Sequence, residues 1–321
     1  MRAQEVNKVE PLLKGLIHNS IINSVNFIVE KCNKLGNCPQ EPDFIASLAL
    51  RFTPELYNIL KVVFPKNKFS VTGVFCHQKP LVDIGLAKSS PEIGDILFVY
   101  VYKDDRGLKK LSSILLQAKI SSKPTTKILS SDEHQLELYE KWPSFTYKRA
   151  GKLNGVKRDV QPKTINDGAQ YLLIDNHPIY GLSGMTGTFP MGCATPSKTL
   201  SLNNSLTDEI IDFLKFKAGR LFEENSKKTN DDWSKMIWDL LETTKNSASK
   251  RKNAGIMNFP RQISADFNGC CFFESETDSI FQDLHKQLKN KDFTEYNHNY
   301  FDDENFSPSV ILIESSEQNS E

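Results

Sequence analysis

Two apolar stretches constrain this chain more than any other feature: Ile93-Gly94-Asp95-Ile96-Leu97-Phe98-Val99, and later Ile114-Leu115-Leu116-Gln117-Ala118-Lys119. The charged turn Lys103-Asp104-Asp105-Arg106-Gly107 lies between them, so they read as the two strands of a hairpin. Strand side chains alternate faces, which puts Gln117 and Lys119 on one face and Ala118 on the other. In that hairpin Asp95, at the start of one strand, lies beside Gln117 and Lys119 at the end of the other. An acid, a neutral oxygen ligand and an ammonium then share one patch, a set suited to holding a divalent metal against a phosphodiester. The second strand is apolar on both faces at its start, as a central buried strand is. Such a strand does not carry Gln and Lys without partners.

The chain has 321 residues, of which 39% are hydrophobic and 25% charged, enough for one large core or two modest ones. Forty basic and forty acidic side chains cancel, so any attraction to phosphate must be local. Asp302, Asp303, Glu304, Glu314, Glu317 and Glu321 gather acid at one end and leave the body before them mildly basic. Six cysteines without CxxC spacing fit free thiols in a reducing cytosol, and zinc is disfavoured because only Cys270 and Cys271 lie close together. No apolar run has the length of a membrane span and no signal segment is evident. The expectation is a cytoplasmic protein with no membrane partner.

Apolar residues at helical spacing predict an amphipathic helix over 8–31, and Pro42 and Pro54 suit the starts of two more. Residues 69–77 alternate as a strand that would end beside Asp95. Ser130–Glu133 offers capping residues for a helix stopping at Trp142-Pro143, a polar basic span over 148–163 reads as a long loop, and 169–174 is a further strand. Helices are expected over 206–222, 231–245 and 280–288, with short strands at 269–273 and 310–313. The division expected is an N-terminal helix (1–34), a core (35–180), a mainly helical accessory region (181–314) and a disordered tail (315–321).

The order helix, three strands, helix, strand, with an acid opening the second strand and QxK in the third, resembles the PD-(D/E)xK nuclease superfamily. The resemblance covers residues 35–175 and is to the variant carrying Gln in place of the second acid, as in Mrr-like restriction nucleases. It implies an α/β fold with a restriction-endonuclease-like core, a mixed sheet flanked by helices. It also implies Mg²⁺ or Mn²⁺ as cofactor, with Asp95 and Gln117 as metal ligands and Lys119 activating or positioning the attacking water. Many members add a Glu from the preceding helix. Glu41 is the best position for it and Glu55 the reserve, while Glu92 competes with Asp95 as the strand-opening acid. Gln135, early in the next helix, is a further candidate for the same patch. The function implied is hydrolysis of phosphodiester bonds in nucleic acid, DNA foremost, by a Mg-dependent endodeoxyribonuclease. Defence against foreign DNA is suggested only by the company this variant keeps.

The alternative is a catalytically inactive nuclease-like module that binds nucleic acid or a partner protein. The chain could also pair with a second copy of itself. Other motifs carry less. Cys76 and His77 are adjacent in a strand and point apart, so they form no dyad. Pro80-Leu81-Val82-Asp83 imitates a PD signature, yet no strand follows it. Gly184–Thr188 lacks a P-loop pattern, Lys250-Arg251-Lys252 reads as solvated surface, and Trp142, Phe145 and Tyr147 read as core.

Overall fold

Leu13, Ile17, Ile21, Val25 and Ile28 recur every three or four residues, and all are buried along one stripe of helix α1 (Ala3–Lys34). Gly36 and Pro39 end that helix. Helix α2 (Glu41–Ser47) starts with Pro42 in its first turn, and a single π-helical turn (Leu48–Phe52) leads into α3 (Thr53–Val63). The computed structural model describes residues 1–76, 80–85, 90–175, 190–225, 228–244 and 307–317, and the backbone of 271–275.

The main sheet has nine strands: β1 (Asn67–Val74), β2 (Ile96–Lys103), β3 (Lys109–Ile120), β4 (Ala169–Ile174), β5 (Met191–Ala194), β6 (Asn204–Ser205), β7 (Arg220–Leu221), β8 (Cys271–Ser275) and β9 (Ser309–Glu317). Their order is β6-β5-β4-β3-β2-β9-β1-β8, with β7 pairing beside β3. The sheet is mixed. β2/β9 and β3/β4 run parallel, and the other pairs are antiparallel.

Helices cover both faces, which makes the protein α/β. Ile96, Phe98, Ile114, Leu116 and Ile311 pack beneath α1, α2, α3 and α5 (Leu206–Leu214). Leu97, Val99, Leu115, Leu312 and Tyr171 pack against α4 (Glu133–Lys141) and α6 (Asp232–Thr244) on the opposite face. The first layer sits close enough that β1 needs glycine at position 73. A Cβ there would fall 1.9 Å from the carbonyl oxygen of Ala49 in the π-helical turn.

Five expectations are corrected. The strand after α3 does not lie beside the Asp95 strand, because β9 runs between β1 and β2. Val310, Ile311, Leu312 and Ile313 are all fully buried, and a continuous apolar run of this kind belongs in a sheet centre. The tail expected to be disordered from residue 315 is strand as far as Glu317, because its polar side chains have partners. Ser315 meets the Tyr100 hydroxyl at 3.0 Å, and Glu317 accepts two bonds from Arg2, each 2.7 Å.

The region over 181–314 is not mainly helical where it is described, since it supplies β5, β6, β7, β8 and most of β9. Helix α5 ends at Leu214 rather than near 222, where Phe216 and Gly219 adopt positive φ. The span 148–163 is not one long loop. Phe145–Lys148 pairs with Lys157–Arg158 and with Leu81–Asp83 in a separate three-stranded sheet. His77, Gly184–Thr188, Lys250–Lys252 and the helix expected over 280–288 lie outside the described residues.

No described helix is long and apolar enough to cross a membrane. The central role of β9 gives a direct test. Leu312→Ala should cost about 2–5 kcal/mol of unfolding free energy by urea denaturation, the range for a fully buried leucine. A loss below about 1 kcal/mol would mean that the sheet does not depend on this strand.

Candidate functional site

β2 and β3 form an antiparallel hairpin in which Ile96 faces Leu116, so Asp95 stands at the end of β3 that carries Gln117 and Lys119. Two strands pin its backbone at once. Its amide donates to the carbonyl of Leu116 (2.9 Å), and its carbonyl accepts from the amide of Ser309 at the head of β9 (2.9 Å). Its carboxylate Oδ2 accepts from the Ala118 amide at 2.7 Å and from Gln117 Nε2. The side chain thus takes up an amide left over where β2 begins.

Gly94 is required just before it. A Cβ there would lie 2.7 Å from Leu115 Cδ1 and 2.8 Å from the Tyr139 hydroxyl. That hydroxyl instead donates to the carbonyl of Ile93 at 2.9 Å.

Glu41 is the first residue of α2, in the layer on the other face of the sheet. Its Oε1 accepts from the Ile120 amide at 3.2 Å, which brings this carboxylate to the same end of β3. Lys119 Nζ donates to Asp132 Oδ2 at 2.9 Å. Asp132 is the N-cap residue of α4 but makes no capping bond, its carboxylate serving Lys119 instead. Glu92 is partly buried and bridges Leu81 through its backbone. Glu55 is taken up by Arg51 at 3.2 Å, and Asp83 by Lys148 at 2.6 Å.

Charge ties the cluster together. Burial pushes the Asp95 carboxyl well above the usual carboxylate range, and the charges of Glu92 and Glu41 push it further. The Ala118 amide and Lys119 only partly offset this. Burial likewise raises Glu92, with Lys119 pulling down and Glu41 pushing up. For Lys119, burial acts to lower the pKa, but the charge of Glu41, the bond it donates to Asp132 and the charges of Asp132 and Asp95 outweigh it, and the net shift is upward. The ammonium therefore stays charged in acidic company.

Three buried polar atoms beside this cluster have no partner: Gln117 Oε1, Gln135 Nε2 and the Tyr171 hydroxyl. Tyr171 faces Gln117 across the parallel β3/β4 register. Its ring lies 5.7 Å from that of Tyr139, and Gln135 sits one turn before Tyr139 on α4. Orphaned buried polar atoms are costly, so these three suit pairing with the polar atoms of a bound species or of ordered water.

Glu41, Asp95, Gln117 and Lys119 all meet at one end of β3, with Glu92 electrostatically coupled to them. Sequence reasoning missed two contributors. Asp132 was legible only as a helix cap, although its position soon after QxK and before an amphipathic helix was a usable signal. Tyr171 lies within the strand expected over 169–174 but was not singled out, and only strand pairing shows it beside Gln117. Trp142, Phe145 and Tyr147 are buried core, and Cys76 is a buried thiol.

Among the described residues, no three His, Cys, Asp or Glu side chains form a group that could hold a metal ion by themselves. No protein-family model, no curated protein and no solved structure matches this chain.

The raised carboxyl pKa of Asp95 fixes a sign for stability. A folded-state pKa above the unfolded one stabilises the fold at low pH and is lost as pH rises through the folded value. Asp95→Asn should therefore melt above the wild type, with a gain smallest near about pH 4 and growing to the order of a few degrees toward about pH 8. Thermal denaturation across that range reads it. A variant less stable than wild type at the alkaline end would show that the charged carboxylate stabilises the fold.

Proposed function

We propose that the protein is a metal-dependent nuclease that hydrolyses phosphodiester bonds in nucleic acid, with DNA as the principal substrate. We further propose that α3, β1, β2, β3, α4 and β4 make a restriction-endonuclease-like core into which β9 is intercalated. The observation that carries the reading is the end of β3. The Asp95 carboxylate is gripped there by Gln117 and Ala118, while Lys119 and Glu41 arrive at the next two residues.

The residues fit a hard divalent cation. Gln117 Oε1 is a buried neutral oxygen without a partner, and Mg²⁺ needs only one or two carboxylates because it keeps waters and takes substrate phosphate. Asp95 and Gln117 would hold it, with Glu41 or Glu92 completing the set. When bound, the ion would supply an acidified water and charge neutralisation at the phosphate.

The remaining tasks fall to the chain. Lys119, charged and steadied by Asp132, orients a phosphate oxygen through its ammonium. Glu92, whose carboxyl is raised by burial, is a stronger base toward an attacking water than an exposed glutamate would be. The partly buried cluster limits solvent, so each charge acts more strongly than it would at an open surface.

One observation favours a second reading, a module that binds nucleic acid without cutting it. Gln117 turns its amide nitrogen to Asp95 and Lys119 is engaged by Asp132, so two of the groups that would act on metal and phosphate already have partners within the chain.

Nicking of supercoiled plasmid separates the two. With Mg²⁺ or Mn²⁺ the wild type should nick, and Asp95→Ala and Lys119→Ala should each lose about 100-fold or more. Full cleavage by both variants would move the chemistry elsewhere. Binding of DNA by the wild type without cleavage in either metal would favour the binding module.

A further inference from the structure

Between Lys119 and Asp132 the chain makes an excursion, residues 120–131, whose base is closed by the ion pair between those two side chains. Its outer part is Thr125–Lys127, paired antiparallel with Thr199–Ser201 in a two-stranded ribbon separate from the main sheet. The amide of Leu202 donates to Pro124 (2.8 Å) and the amide of Ile128 to Lys198 (3.0 Å), which extends the ribbon at both ends. Directly opposed residues share a face. Lys127 therefore stands with Thr199, and Thr125 with Ser201, on the exposed side, while Leu200 is fully buried beneath.

The composition of this ribbon is one-sided. No Asp or Glu occurs from Ile120 to Ser131 or from Pro190 to Ser205, in a chain whose basic and acidic residues are equal in number. Lys123, Lys127 and Lys198 are exposed, and none pairs with a carboxylate among the described residues. The ribbon offers ammonium groups, side-chain hydroxyls and no acid of its own, and the excursion that carries it begins one residue beyond Lys119.

We propose that this ribbon is a contact surface for the sugar-phosphate backbone of duplex DNA, and that Lys123, Lys127 and Lys198 bind its phosphates. The proposal rests on the nuclease reading for its choice of partner but adds a surface which that reading does not require. Hydroxyls and amines that bind phosphate fix register and orientation without reading sequence. The ribbon would hold a strand across the end of β3 and leave chemistry to the cluster at Asp95. The acids of that cluster repel a polyanion, so a basic element beside them is what lets the phosphates approach.

The test is equilibrium binding of the full chain to a fluorescent DNA duplex over a range of salt, with EDTA present so that no cleavage intervenes. The triple variant Lys123→Ala/Lys127→Ala/Lys198→Ala should bind at least about tenfold more weakly at low salt. Its log K against log salt slope should fall by about 0.9 for each phosphate that is no longer neutralised. The control is Lys66→Ala/Lys68→Ala/Lys103→Ala. The strand register sets those residues at the opposite end of the sheet from Asp95, and the same charge is removed.

Unchanged binding and slope in the ribbon variant, equal losses in ribbon and control variants, or no binding by the wild type would each overturn the proposal. Plasmid nicking by the wild type, run in parallel with Mg²⁺, reports on the nuclease reading separately. Nicking with an unaltered ribbon variant rejects the ribbon alone. A ribbon-dependent salt slope without any nicking rejects the nuclease and leaves the ribbon standing.

Discussion

The bond from the Ser309 amide to the Asp95 carbonyl joins two parts of the chain that lie far apart in sequence. Ser309 also donates through its hydroxyl to the Cys76 carbonyl (2.8 Å) and accepts from the Cys76 amide (3.1 Å). One residue at the head of β9 thereby fixes the end of β1 and the start of β2 together. Everything at the candidate site is measured from that junction, because Asp95 begins β2 and its carboxylate reaches across to β3. A chain lacking β9 would leave β1 and β2 with open edges in the middle of a buried sheet, which is far more costly than an exposed edge. The site therefore cannot be separated from the last described strand, although none of its charged groups lies on it.

The cluster at the end of β3 illustrates why such an arrangement needs a well-buried scaffold. Burial raises the Asp95 and Glu92 carboxyls, the charge of Glu41 raises both further and that of Glu92 adds to Asp95, while Lys119 and the Ala118 amide only partly offset this. Gathering like charges is unfavourable for folding, so the surplus must come from elsewhere. The candidates are plain: a sheet with apolar residues buried on both faces, and helices packed close enough to demand glycine at position 73. Local destabilisation supported by remote packing is the usual condition of a site that acts on charge.

The sequence made the local parts of this structure legible and hid the distant ones. The β2/β3 hairpin followed from two apolar runs and a charged turn. Helices α1, α2 and α3 followed from spacing and proline placement, and the convergence of Gln117 and Lys119 from strand alternation. Each depends on neighbours within a few dozen residues. The pairing of β9 between β1 and β2 does not, since an apolar run such as Val310–Ile313 carries no address for its partners. Asp132 was visible as a residue that caps helices, and the same short polar side chain serves either as a cap or as a partner for Lys119. Which of the two occurs depends on where β3 ends relative to α4, a tertiary fact. Glu92 was ambiguous for the same reason, because a turn residue becomes part of a charge cluster only when another element covers it.

The Lys119–Asp132 pair is more than an exposed surface bridge. The two side chains are 21% and 30% exposed, so the pair is less screened than one in open solvent. It also closes the excursion over 120–131 at its base, and short closures of this kind limit how far the enclosed segment can wander. The ribbon residues Lys123 and Lys127 are therefore carried on a segment whose two ends both meet at the Lys119 ammonium. An anion that drew Lys119 away from Asp132 would loosen the base of the ribbon, and a ligand that ordered the ribbon would hold Lys119 in place. Coupling of this sort needs no long pathway. It follows from one side chain serving at once as a candidate phosphate ligand and as the clasp of the loop that would receive the rest of the strand.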